Sequence, residues 1–186
     1  MATGQRISTF FEGQWHEGDV PIMRAADHGS WVGSTVFDGA RHFDGRSPDL
    51  ALHCARVNKS ALTMGLTPTM GVDEMVEAVT TGLKRYAPSD AVYIRPMYWG
   101  IDGDPSGIVP KPDSTGFAIC LEVLPMIGAD VSVTLGKTQF RRPVMEDNLV
   151  DAKAGCLYPN NARMMREVRG RGFGNALVTD AMGNVA

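Results

Sequence analysis

Cysteine is scarce in this 186-residue chain. Only Cys54, Cys120 and Cys156 occur, an odd number, far apart and without a CxxC pair. That spacing argues against a disulfide framework and against a structural zinc site. Long apolar runs are missing too, since none approaches the roughly 20 residues that span a bilayer. The opening MATGQRISTFFEGQW lacks the continuous apolar stretch of a secretory signal. Positive charge is not in excess: 18 Lys and Arg stand against 21 Asp and Glu, a net charge of −3, the wrong sign for an electrostatic nucleic-acid binder. The expectation is a cytoplasmic protein with neither nucleic-acid nor membrane partners. GxGxxG, GxxxxGKS and GxxxxGKT are absent, which removes the phosphate loops. GxSxG is absent as well, and with it the serine-hydrolase elbow. The four histidines, His16, His28, His42 and His53, show no i,i+4 pairing, so no metal site is expected.

What is present is ordinary globular chemistry. With 44% hydrophobic and 21% charged residues, the chain is too apolar and too weakly charged for global disorder. At roughly 150 residues per domain it makes one domain or two small ones. No repeat or low-complexity tract interrupts it.

Residues 7–16 read as a hairpin with its turn at Glu12-Gly13, and 35–43 as a second extended stretch turning at Gly45. Spacings of three and four among Leu52, Ala55, Lys59 and Leu62 predict a helix over 52–65. Val72, Val76, Val79 and Leu83 predict another, with Asp73 and Glu74 in its first turn and Lys84 and Arg85 in its last, the order that suits a helix dipole. AVYIRPMYW at 91–99 and FAICLEVL at 117–124 read as strands, and 101–116 as a loop. The pattern breaks over 125–128 and resumes as a strand over 131–135, so a domain boundary is expected at 124–130. A helix is expected from about Pro159 to Gly170 or Gly172, then a strand over 175–180 and a turn through Gly183. The chain then stops inside a hairpin, which reads as an incomplete folding unit.

Five lysines could carry chemistry, and Lys153 stands apart. Its neighbours are Ala152, Ala154 and Gly155, which let another molecule approach the ammonium. Apolar surroundings lower a lysine's pKa, and a neutral lysine can form a Schiff base with an aldehyde. The other reading is a surface lysine between two elements. Tyr158, five residues on, either reaches the same site or sits half-buried at a helix start. Arg56 is either a phosphate fork or a solvent-facing helix residue. Tyr93 and Arg95 share one strand face, and either meet a carboxylate together or leave an arginine buried against an acid. Gly33 and Gly39 flank β-formers, a pattern for close approach to the backbone.

VFDGAR at 36–41, LHCARVNKSALTMGL at 52–66, YIRP at 93–96, KAGCLYPNNA at 153–162 and GFGNALVTDAMGNVA at 172–186 occur in a fixed order. Together they resemble the class IV (fold-type IV) pyridoxal-phosphate aminotransferases, most closely the branched-chain amino acid aminotransferases. The resemblance implies an α/β (α+β) fold. A small N-terminal domain would take 1–123, a linker 124–130, and the beginning of a larger, pseudo-barrel, cofactor-binding domain 131–186, with the chain truncated. It implies pyridoxal 5'-phosphate as cofactor, held by Lys153 as a Schiff base, with Tyr158 on the phenolic oxygen and Arg56 on the phosphate. Phe37, Gly39, Arg41, Tyr93 and Arg95 would line the substrate pocket. The implied activity is ping-pong transfer between a branched-chain or similar apolar amino acid and a 2-oxo acid such as 2-oxoglutarate, in a homodimer or higher homo-oligomer. The sequence departs from the pattern at Val32, where branched-chain enzymes often carry a tyrosine in the loop closing the neighbouring subunit's site; Trp31 stands beside it. The family's glutamate for the pyridine nitrogen would fall at or just after position 187. Alternatives are a D-amino acid or (R)-amine transaminase or aminodeoxychorismate lyase of the same family, or a non-catalytic remnant.

Overall fold

The computed structural model describes residues 4–186; residues 1–3, where the small domain expected from sequence begins, lie outside the described residues. The N-terminal hairpin joins β1 (Gln5–Phe11) to β2 (Gln14–Glu17), with Phe11 opposite Gln14. Its two turn residues, Glu12 and Gly13, both have positive φ, the backbone of a two-residue turn that matches strand twist.

After a single helical turn, α1 (His28–Trp31), come β3 (Thr35–Phe37) and β4 (Ala40–His42), then α2 (Leu50–Thr63) and α3 (Val72–Leu83). Two nine-residue strands, β5 (Val92–Gly100) and β6 (Thr115–Val123), pair antiparallel along their whole length. The sheet runs β2-β1-β6-β5-β3, with β4 beside β3 on the same edge of β5. On β5 the even positions Val92, Ile94 and Tyr98 are fully buried, in one core cluster with residues of α2 and α3. The odd positions Tyr93 and Arg95 therefore face the other side. Register sets Arg41, Tyr93 and Glu122 in one row across β4, β5 and β6.

Two expectations from sequence fail here. The helix at α2 exists, but its buried side is Leu50, Cys54, Val57, Ser60 and Ala61, while Leu52 and Leu62 are 68% and 63% exposed. The face toward the sheet is made of small residues, which let the helix come close, and counting large apolar side chains picks the wrong face. The strand expected at 131–135 starts only at Leu135: β7 (Leu135–Arg141) pairs in parallel with β8 (Asn175–Thr179), and α4 (Tyr158–Gly170) forms the crossover. Val131 and Val133 are exposed. Gly136, Lys137 and Gln139 hide the strand from a pattern reading. No helix among the described residues is long and apolar enough to cross a membrane.

The packing has a direct chemical consequence. Cys54 and Cys120 are buried and Cys156 is exposed. Burial, with the nearby Asp38 charge, pushes the Cys54 thiol up to about 11, and burial raises Cys120 as well. A thiol reagent at pH 8 is expected to label Cys156 alone in the native protein and all three cysteines in denaturant, read by intact mass. Prompt native labelling of Cys54 would contradict the seat of α2.

Candidate active site

Lys153 is placed by its backbone. The Phe37 amide of β3 donates to the Lys153 carbonyl at 3.1 Å, and the Lys153 amide donates to Oγ of Ser60 on α2 at 3.0 Å. Ala154 makes an antiparallel bridge with Val36. The chain then turns through one 3-10 turn, Gly155–Leu157, into α4, whose first residues are Tyr158 and Pro159. Proline suits that place because its missing N–H would have had no helical partner. A side chain on Gly155 would strike the Thr35 hydroxyl, so it would have to turn that hydroxyl aside.

The result is a compact group. Lys153 Nζ donates to Tyr158 Oη at 2.8 Å and lies 5.0 Å from the centre of the Phe37 ring. Phe37 and Tyr158 pack with ring centres 5.0 Å apart. A cleft of about 490 Å³ opens here, bordered by Lys153, Tyr158, Arg56, Ser60, Arg142 and Asn161. That size is ordinary for a small-molecule or cofactor site.

Arg56 reaches the cleft in the grip of Asp38. Its Nε donates to Asp38 Oδ2 at 2.6 Å and its Nη2 to Oδ1 at 2.8 Å. Asp38 is fully buried and also accepts from the Gly39 amide at 2.7 Å and pairs with His53 Nδ1 at 2.8 Å. Burial alone would raise the Asp38 pKa, but the hydrogen bonds from Arg56, His53 and the Gly39 amide, with the Arg56 charge, outweigh it and hold the carboxyl below its usual range. The same bond raises the Arg56 pKa.

Beside this lies the row across the sheet. Burial raises the Tyr93 pKa, and the Arg95 charge opposes that rise. A Cβ on Gly39 would collide with the Tyr93 hydroxyl, so the ring occupies the space that the missing side chain leaves. Arg95 Nη1 donates to Glu122 Oε1 at 2.9 Å; Glu122 is 1% exposed, and its other oxygen accepts the Gly4 amide at 2.7 Å. The acid that the sequence left as one reading of Arg95 is therefore present. Arg41 donates to the Leu124 carbonyl and to Met126 Sδ. Its buried Nε has no partner among the described residues, and burial lowers its pKa against the opposing charges of Tyr93 and Glu122.

Lys153, Tyr158 and Arg56 thus converge on one cleft, Phe37 packs against the first two, and Gly39, Tyr93, Arg95 and Arg41 form the adjoining sheet face. Sequence reasoning gave no role to Asp38, His53, Ser60 or Glu122. An acid set among β-formers in VFDGAR, with a histidine and an arginine three apart on the next helix, was the available signal for the first two. A second concavity of about 610 Å³, lined by residues such as Phe11, Met23, Trp99 and Phe117, holds none of the predicted groups. Its one buried carboxylate, Asp27, is already bonded to Arg24 and Trp99.

A family model described as amino-transferase class IV matches residues 35–186. A Rickettsia felis protein named "Probable branched-chain-amino-acid aminotransferase" is 29% identical, over 97% of this chain and 63% of its own. Among solved structures, an aminotransferase from Brucella abortus bound to the co-factor PLP superposes with a TM-score of 0.95 at 52% identity, over 98% of this chain and 65% of that one. The branched-chain amino acid aminotransferase of Escherichia coli superposes with a TM-score of 0.82 at 20% identity, over 98% and 61%, a likeness of fold alone. The chain spans a little under two thirds of the length of these relatives.

Proposed function

The chain belongs to the class IV aminotransferase family, and from that premise we propose that it transfers amino groups between a branched-chain or similar apolar amino acid and a 2-oxo acid such as 2-oxoglutarate, with pyridoxal 5'-phosphate as cofactor. Its α/β fold is the type IV fold expected from the sequence. The observation that carries the proposal is the Lys153–Tyr158 hydrogen bond in a cleft that Arg56 also borders. An amine, a phenol and a guanidinium match the aldehyde, phenolic oxygen and phosphate of that cofactor one for one.

When bound, the cofactor supplies an aldehyde carbon that an amine captures and a ring that takes up electrons from the substrate's α-carbon. Lys153 offers the amine. With its lone pair free, Nζ would take the substrate's α-proton and return it as general base and acid. The bonds from the Phe37 amide to the Lys153 carbonyl and from the Lys153 amide to the Ser60 hydroxyl keep the Cα still while Nζ moves. Tyr158 Oη can turn its proton toward an oxyanion, and Arg56 takes the phosphate. Tyr93 and Arg95 orient a carboxylate, while Phe37, Gly39 and Arg41 line the path of the substrate side chain.

We keep the division drawn from sequence: a small domain to 123, a linker over 124–130 and the beginning of the large domain over 131–186. The six-stranded sheet that ends at Val123 and the separate β7–β8 pair support it. A homodimer or higher assembly is supported by the large apolar side chains of Trp31, Ile108 and Val109, left 64%, 68% and 55% exposed. Three unpaired cysteines support a reducing, cytoplasmic setting.

The test is covalent. Borohydride added with pyridoxal phosphate is expected to fix one coenzyme on Lys153, located by peptide mass; label on another lysine, or on none, overturns the proposal. Turnover of L-leucine is expected to exceed that of D-alanine and of an (R)-arylamine. Activity confined to the latter two would move the protein to another branch of the family.

A further inference from the structure

Asp38 has no place in the chemistry described so far, yet three groups converge on it behind the cleft. It sits at the break between β3 and β4, fully buried, with the Gly39 amide, the His53 ring and the Arg56 guanidinium around its two oxygens. Arg56 comes from the outer part of α2, and its side chain is 56% exposed. Left alone, such a side chain samples many rotamers, and ordering it opposes binding. Asp38 takes the guanidinium by its Nε and Nη2 edge. Nη2 also lies 3.2 Å from His53 Nδ1, but a ring nitrogen that donates to the Asp38 carboxylate has no lone pair left to accept, so the other edge, with one N–H from each Nη, remains for a second oxyanion, and two parallel N–H groups are the geometry that matches phosphate.

Asp38 is also rigidly related to the reacting amine. Its neighbour Phe37 donates its amide to the Lys153 carbonyl, so the carboxylate and Lys153 are held to the same short strand. The guanidinium and the Lys153 backbone are thereby tied to the same strand.

We propose that Asp38 is a positioning residue: it locks Arg56 so that its outward edge meets the cofactor's phosphate at the correct reach from Lys153. This rests on the reading of the cleft given above. The opposing physical effect is plain, because a carboxylate also cancels positive charge and on that account weakens anion binding. The proposal states that orientation outweighs cancellation.

The experiment compares pyridoxal 5'-phosphate with pyridoxal, which lacks the phosphate, by titrating each into the purified protein and following absorbance. Asp38→Asn keeps one acceptor oxygen and removes the charge. It is expected to lower the preference for the phosphorylated form about tenfold, the scale of one charge-assisted hydrogen bond, with pyridoxal affinity unchanged. Arg56→Ala is expected to lower the preference at least as far, and Asp38→Asn to add nothing in that background. A preference that stays level or rises in Asp38→Asn means that cancellation wins, and overturns the proposal. An equal loss for both ligands means a general structural role and overturns it too. Should Asp38→Asn fail to fold, Arg56→Lys serves instead. It keeps the charge but cannot be gripped by two edges, so it is expected to lose most of the preference; full retention overturns the proposal. If Arg56→Ala itself keeps the wild-type preference, the phosphate does not lie at Arg56 and the reading of the cleft falls with it.

Discussion

Lys153→Ala is expected to fold normally and to lower transfer from L-leucine to 2-oxoglutarate by about 10³-fold or more, the scale of a lost acid–base group. The fold survives because Lys153 serves it through the backbone: the bonds from Phe37 and to Ser60 are made by atoms that alanine keeps. The chemistry fails because Nζ, 2.8 Å from Tyr158 Oη, is the one amine among the residues bordering the cleft. Circular dichroism and thermal melting check the first half, and a coupled assay for the 2-oxo acid product checks the second. Small added amines should restore part of the rate, since they supply the missing lone pair. A variant that kept a tenth of the activity would remove Lys153 from the mechanism.

Arg95→Met is expected to destabilise the protein by about 3 kcal/mol, the scale of breaking a buried ion pair by removing one partner. For a chain of this size that lowers Tm by roughly 10 °C. Glu122 is 1% exposed, and Arg95 is its only salt-bridge partner among the described residues; the Gly4 amide on the other oxygen cannot neutralise it. Adding Glu122→Gln to the same chain removes the orphaned charge and should recover much of the loss. Calorimetry of the two variants decides the matter: a double variant no more stable than Arg95→Met would show that the pair is not the source.

The sequence carried the sheet well and the site in part. β5 and β6 were legible because branched and aromatic residues alternate or run continuously where both faces are covered. Lys153 was legible because Ala152, Ala154 and Gly155 crowd nothing, a local property. Arg95 was not resolvable between its two readings, because its acid lies across the sheet and register is set by β5–β6 pairing. Asp38 was missed for a similar reason: its role depends on which way α2 is turned, and that helix buries Cys54, Ser60 and Ala61 rather than its larger apolar residues. β7 escaped because its partner, β8, lies more than thirty residues on and its own sequence is interrupted by glycine and polar positions.

The double anchoring of the backbone at Lys153 has a kinetic implication. With its main chain lashed to a strand on one side and a helix on the other, the residue behaves as a fixed post carrying a four-carbon tether. In the mechanism proposed above, each departure and return of the amine would be a matter of bond rotations in that tether, on the picosecond-to-nanosecond scale of side-chain motion. On the proposed role of Lys153, the nitrogen finds its way back with no movement of its own backbone.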